Sequence, residues 1–231
     1  MKYGHINFDH RRQHMHMAKM VERIAPSTIL DVGCSNGLFS AFLGMTANMC
    51  VKGLDFDDHY CTVLGVEADL DACTEADKLI DIAYHYDLNE KMLSEIMELQ
   101  GLTFDVIVFA DVLEHLTHPD KVLEDAAKLL SPNGHILVSI PNIQYFRTRA
   151  KIAFGQMGYE DYGPLDRTHV RFFGYQSAKA LVDKAGYDIV DTKFSVKPSS
   201  SLFGALTRVS PSLFAYQFVF ELAPKSNKYI P

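Results

Sequence analysis

The chain predicts an α/β protein built on a doubly wound, mostly parallel sheet, because the order strand, helix, strand recurs five times before Asn142. Two stretches support this reading. Phe104–Phe109 is a nearly uninterrupted apolar run of strand length, as a central parallel strand covered on both faces requires. Ile29 to Ser40 reads as strand, tight turn, helix: apolar β-formers surround Asp31, Gly33 and Gly37 permit a turn that side chains would block, and helical spacing returns at Leu38. Such a turn sets bare backbone N–H groups beside a ligand.

Size and composition narrow the partners. The 231 residues fit one domain, 1–231, with 1–27 as an N-terminal helical cap and 145–175 as an insertion on the substrate side. A hydrophobic share of 48% with 22% charged residues is ordinary for a globular chain, and a net charge of −7 argues against nucleic acid or an anionic membrane as partner. Cys34, Cys50, Cys61 and Cys73 are widely spread, so reduced thiols are expected, with neither a disulfide framework nor a metal site. No segment approaches the roughly 20 apolar residues that cross a bilayer, and a cytoplasmic location is expected.

The first element is a helix from about His10 to Ile24, with Met17, Met20, Val21 and Ile24 at helical spacing and Pro26 after its end. His5, His10, His14 and His16 crowd this segment. His10 and His14 have the i, i+4 spacing of metal ligands, but without a fixed third ligand they read as solvated or substrate-facing. Arg11 and Arg12 either reach an anionic substrate group or are solvated.

The turn itself excludes two common ligands. A dinucleotide fingerprint wants glycine at three positions that here hold Gly33, Ser35 and Leu38, and a phosphate-binding loop wants a lysine after Gly37, where Leu38 stands. Asp31 would repel a phosphate and attract an ammonium group. The turn resembles motif I of the class I S-adenosylmethionine-dependent methyltransferases, with Ser35 where that family usually has its middle glycine. The resemblance implies a Rossmann-like, seven-stranded sheet with a reversed strand at the C-terminal edge. It also implies S-adenosylmethionine as cofactor, S-adenosylhomocysteine as product, and a cofactor seat that includes Asp31, Gly33, Cys34, Ser35 and Gly37.

Leu38–Leu43 begins the first crossover helix. A carboxylate at the end of the second strand should receive the ribose; Glu67, ending Thr62–Glu67, is favoured over Asp55, and Gly44 to Tyr60 becomes an enlarged connection. A helix over Leu70–Leu79 and a strand over Ile80–Tyr84 follow. His85 to Glu90 resembles the family's adenine-reading segment, so Asp87, beside Leu88, should accept from the exocyclic amine or cap a helix over Lys91–Leu99. After Phe104–Phe109, the segment Ala110-Asp111-Val112-Leu113-Glu114-His115 resembles one found in family members acting on small molecules. Members that methylate DNA or protein glutamine would carry Pro-Pro-Tyr there. Ala110 and Asp111 are therefore expected at the cofactor, and His115 either faces the transfer centre or only packs.

Lys121–Leu130 reads as an amphipathic helix stopped by the turn Ser131-Pro132-Asn133-Gly134, and His135–Ile140 as the fifth strand. The pattern breaks from Tyr145 to Arg171. Its end, Leu165 to Phe173, resembles a segment of small-molecule and glycan-modifying members, which implies a base, its orienting acid and an anion clamp from His169, Asp166 and Arg171, or else a structural polar cluster. A helix over Ser177–Ala185, a strand over Tyr187–Thr192, a Ser-rich connection and a strand over Ala215–Leu222 complete the chain. The implied activity is methyl transfer to an oxygen, less readily a nitrogen, of a small molecule or sugar derivative, with His169 or His115 as base. The alternatives are a catalytically inactive S-adenosylmethionine-binding module acting through a partner, a nucleotide-dependent oxidoreductase, and a nucleic-acid methylase.

Overall fold

The computed structural model describes residues 12–49, 60–197 and 201–225; His5, His10, Arg11, Cys50 and Asp55 lie outside them, as does the side chain of Arg12. The elements run α1 (Arg12–Ile24), β1 (Thr28–Val32), α2 (Leu38–Met49), β2 (Thr62–Glu67), α3 (Leu70–Ala76), β3 (Ile82–His85), β4 (Phe104–Ala110), α4 (Pro119–Ala126), β5 (Leu130–Pro141), α5 (Phe146–Ala153), α6 (Tyr175–Ala185), β6 (Tyr187–Ser195), α7 (Ser201–Val209), α8 (Pro211–Phe214) and β7 (Gln217–Pro224). The strands form one sheet in the order β3-β2-β1-β4-β5-β7-β6. All neighbours pair in parallel except β7, which runs antiparallel to both β5 and β6. The reversed strand is thus one in from the edge. Strand order turns back at β1, which lies between β2 and β4, and ligands of such sheets gather at the carboxyl ends beside that reversal.

Alternation along the strands divides the core in two. Ile107 and Phe109 of β4 join Leu30, Val32, Leu64 and Val66 against α4 and α6, whereas Val106 and Val108 join Ile29, Val63, Met17, Met20, Phe39 and Leu43 under α1 and α2. The apolar face predicted for the first helix, with Met17, Met20 and Val21, is buried in this second part of the core.

Several boundaries differ from the sequence reading. Helix α3 stops at Ala76; the Asp77 carboxylate accepts from Ala83 N at 2.9 Å, and Asp81 bonds Val63 twice, its N–H donating to the carbonyl and its carboxylate accepting from the N–H at 2.8 Å. Lys91–Leu99 is two single 3-10 turns, not an α-helix: Leu93, Ile96 and Leu99, three residues apart and fully buried, fit the three-residue repeat. The helix over Lys121–Leu130 ends at Ala126, and Ser131–Gly134 is a bulge within β5 rather than a turn ahead of it. Between Phe104↔Leu130 and Val106↔His135, β5 advances five residues against two on β4, with Ser131 Oγ held by Asp105 at 2.9 Å. The Ser-rich connection contains α7 and α8.

Candidate active site

The carboxyl ends of β1, β2 and β4 bring most of the expected residues to one edge. Gly33 has φ +72° and Gly37 φ +78°; a Cβ on Gly33 would meet a Val112 methyl at 2.6 Å, and one on Gly37 would meet the Ala76 Cα at 2.7 Å. Ser35, where the family motif favours glycine, also has positive φ, at 50°. Its N–H donates to Glu67 Oε2 at 2.7 Å, while Glu67 Oε1 accepts from Ala68 N and Asp69 N at 2.8 and 2.9 Å. Gly33 N and Cys34 N both donate to the Val66 carbonyl, and the Cys34 thiol is buried against Gly65. The end of β2 thus sets the shape of the turn after β1.

Asp31 is buried on β1, with Ser40 Oγ donating to its Oδ2 at 2.6 Å and Oδ1 buried without a hydrogen-bond partner. Burial pushes its carboxyl up to about 7, the Ser40 hydrogen bond opposes the shift, and the Glu67 charge adds to it. An unpaired carboxylate oxygen ahead of an open backbone turn suits a cation. Beyond β3, Asp87 Oδ1 accepts from Asn89 N at 2.8 Å and closes its own turn, and Leu88 is buried behind it. No helix over 91–99 exists for Asp87 to cap.

Asp111, with φ 60°, follows Ala110 at the end of β4. Its N–H donates to Ser139 Oγ at 3.0 Å; Ser139 Oγ donates back to Oδ1, Gln217 Nε2 donates to Oδ1 at 2.9 Å, and Gln13 Nε2 of α1 donates to Oδ2 at 3.2 Å. These three partners, Gln13, Ser139 and Gln217, carry no sequence signal, each being an isolated amide or hydroxyl outside any motif.

The next turn, Leu113–His115, meets the end of the 145–175 segment. Val170 N and Arg171 N both donate to the Glu114 carbonyl at 3.0 Å. This brings His169 Nε2 to 3.9 Å from Glu114 Oε1, with the two side chains 6% and 1% exposed. The His115 and His169 rings meet edge to face at 4.8 Å, and His115 Nδ1 donates to the Thr168 carbonyl at 3.2 Å. Burial and then the Asp111 charge hold the Glu114 carboxyl well above its usual range; burial and His115 hold His169 below its own. Asp166 is occupied otherwise: its Oδ1 accepts from Thr168 N and Oγ1 at 2.8 and 2.6 Å, so the acid facing His169 is Glu114, which the sequence reading passed over although it sits three residues after Asp111. The exposed Arg171 donates to the Thr117 carbonyl at 2.6 Å.

The methyltransferase domain family model matches residues 8–192. Ubiquinone biosynthesis O-methyltransferase of Photobacterium profundum is 28% identical over 160 residues, 68% of this chain and 61% of that one, and its Caulobacter vibrioides counterpart 29% over 133 residues, 58% and 46%. The chain thus spans about half to three-fifths of the length of these curated relatives. Among solved structures, magnesium protoporphyrin IX methyltransferase from Synechocystis with bound S-adenosylhomocysteine aligns over 97% of this chain and 90% of that one, with TM-score 0.60 and 16% identity. The plantazolicin methyltransferase, also with S-adenosylhomocysteine, aligns over 93% and 85% with TM-score 0.61 and 14% identity; at these identities the likeness is one of fold. With the family model covering most of its length, this chain belongs to the methyltransferase domain family.

Proposed function

We propose that this chain transfers a methyl group from S-adenosylmethionine to an oxygen of a small molecule or sugar derivative. The observation behind it is Asp31, a buried carboxylate with one oxygen unpaired, directly ahead of a glycine turn that lacks two of the three dinucleotide-fingerprint glycines and the lysine of a phosphate-binding loop. Asp31 would seat the methionine ammonium. Three backbone donors already occupy Glu67, which leaves about one acceptor site for a ribose hydroxyl rather than two. Asp87 would take the exocyclic amine through Oδ2, and Gly33, Cys34, Ser35, Gly37, Leu88, Ala110 and Asp111 would line the remaining seat.

Bound there, the sulfonium supplies an electrophilic methyl. The protein must align the acceptor and dispose of its hydroxyl proton, and the Glu114, His115 and His169 group at the neighbouring strand end is the means for the second task. Residues 145–175 would form the acceptor side of a single domain, with Arg171 beside it. Oxygen is favoured over nitrogen because the curated relatives are named as O-methyltransferases. A catalytically silent module gains no support from relatives named as enzymes. Calorimetry should find saturable binding of S-adenosylhomocysteine and none of NAD, and labelled methyl should pass to a member of a hydroxylated acceptor panel. Tight NAD binding with none of S-adenosylhomocysteine would overturn the reading.

A further inference from the structure

We infer that Glu114, His115 and His169 form a binding site for a divalent transition-metal cation such as Zn²⁺. One ligand atom from each residue lies within 4.8 Å of the others. One carboxylate oxygen with two imidazole nitrogens is a donor set suited to zinc or a related ion, and three protein ligands leave positions open. Tetrahedral coordination at zinc–nitrogen lengths brings ligand atoms to about 3.4 Å of each other, so the group has to contract by up to about 1.4 Å around the ion.

The sequence reading expected no metal. Its only candidate pair, His10 and His14, lacked a third ligand, whereas the present group joins two segments more than 50 residues apart, with an observed His115 to Thr168 separation of 53. Three features distinguish it from an ordinary hydrogen-bonded cluster. The 3.9 Å between His169 Nε2 and Glu114 Oε1 is too long for a hydrogen bond, so the acid and the imidazole face one another without joining. Glu114 Oε2 is buried with no hydrogen-bond partner, in a side chain only 1% exposed, which leaves a buried acceptor atom that an ion would satisfy. The Thr168 carbonyl fixes the proton of His115 on Nδ1 and leaves the Nε2 lone pair free, the outer-sphere arrangement that orients metal-bound imidazoles. The two hydrogen bonds to the Glu114 carbonyl hold both ligand-bearing segments together before any ion arrives.

The consequence for catalysis rests on the proposed function; binding of the ion does not. An acceptor hydroxyl on an open position of the cation would lose its proton to solvent more readily. The resulting oxygen forms the new bond to the methyl carbon as the S–CH₃ bond breaks and its electron pair returns to sulfur. In that arrangement His115 and His169 are ligands, and neither has to take the proton itself.

The test is a Zn²⁺ titration of the full chain after chelator treatment, read against a chromophoric competitor, together with the visible spectrum of the Co²⁺ form. One equivalent should bind to the wild type. Glu114→Gln and His169→Ala should each weaken it at least 100-fold and remove the Co²⁺ bands, while His118→Ala, an exposed histidine, leaves both unchanged. Binding of S-adenosylhomocysteine by the same variants reports that they are folded, and Glu114→Asp serves if Glu114→Gln fails that check. No stoichiometric binding by the wild type, or equal binding by Glu114→Gln and His169→Ala, overturns the site. Metal binding without S-adenosylhomocysteine binding would sink the proposed function and leave this site standing; the reverse result would do the opposite.

Discussion

The turn after β1 and the polar group after β4 lie at the carboxyl ends of adjacent strands, and each buries a carboxylate, yet they are assembled in different ways. Asp31 takes its hydrogen bond from Ser40, nine residues on, and glycines in the same stretch permit the turn between them, which Val66 and Glu67 of β2 then hold. His115 finds its partner 53 residues away, and Glu114 meets His169 only because the end of the 145–175 segment is hydrogen-bonded onto it. A locally encoded site should respond to changes in backbone freedom. A site assembled from distant segments should respond to changes at either segment while leaving the first site intact.

The largest expected effect tests that independence. His169→Ala should lower kcat by about 10²–10⁴-fold, because the group that disposes of the acceptor proton loses a member, and leave the dissociation constant for S-adenosylhomocysteine within about threefold. Parallel loss of cofactor binding would merge the two sites into one. Next comes Gly37→Ala, which combines a left-handed backbone with an overlap against the immovable Ala76 Cα, and should cost about 2–4 kcal/mol in a denaturant melt. Gly33→Ala should cost less, since its obstacle is a side-chain methyl, and adding Val112→Ala should recover part of that loss and none of the loss at Gly37.

A pH series sharpens the comparison further. The Asp31 carboxyl is raised from 3.8 to about 7 in the fold, so its contribution is most favourable below pH 4 and is lost as pH rises through 7. The stability of the wild type relative to Asp31→Asn should therefore fall between pH 4 and 7, by at most about 4 kcal/mol. A flat difference would mean that Asp31 is solvated rather than held buried. At the other extreme, Lys184 pairs with Asp120 at 2.7 Å on the surface with its side chain 68% exposed, and Lys184→Ala should change stability by less than about 1 kcal/mol.

The sequence by itself determined the alternating elements, the buried β4, the glycine turn and the acid ahead of it, because each depends on residues a few positions apart whose periodicity or backbone freedom can be read directly. Boundaries governed by other segments were not legible: the bulge at Ser131–Gly134 follows from the register of β4, and the 3-10 turns at 93–99 from burial against the sheet. Glu114 stood in plain view beside His115, but an acid acquires meaning only from what faces it. Only the tertiary structure brought His169 there and surrounded Asp111 with Gln13, Ser139 and Gln217, since contacts across so many residues are decided by how helices and loops pack on the sheet.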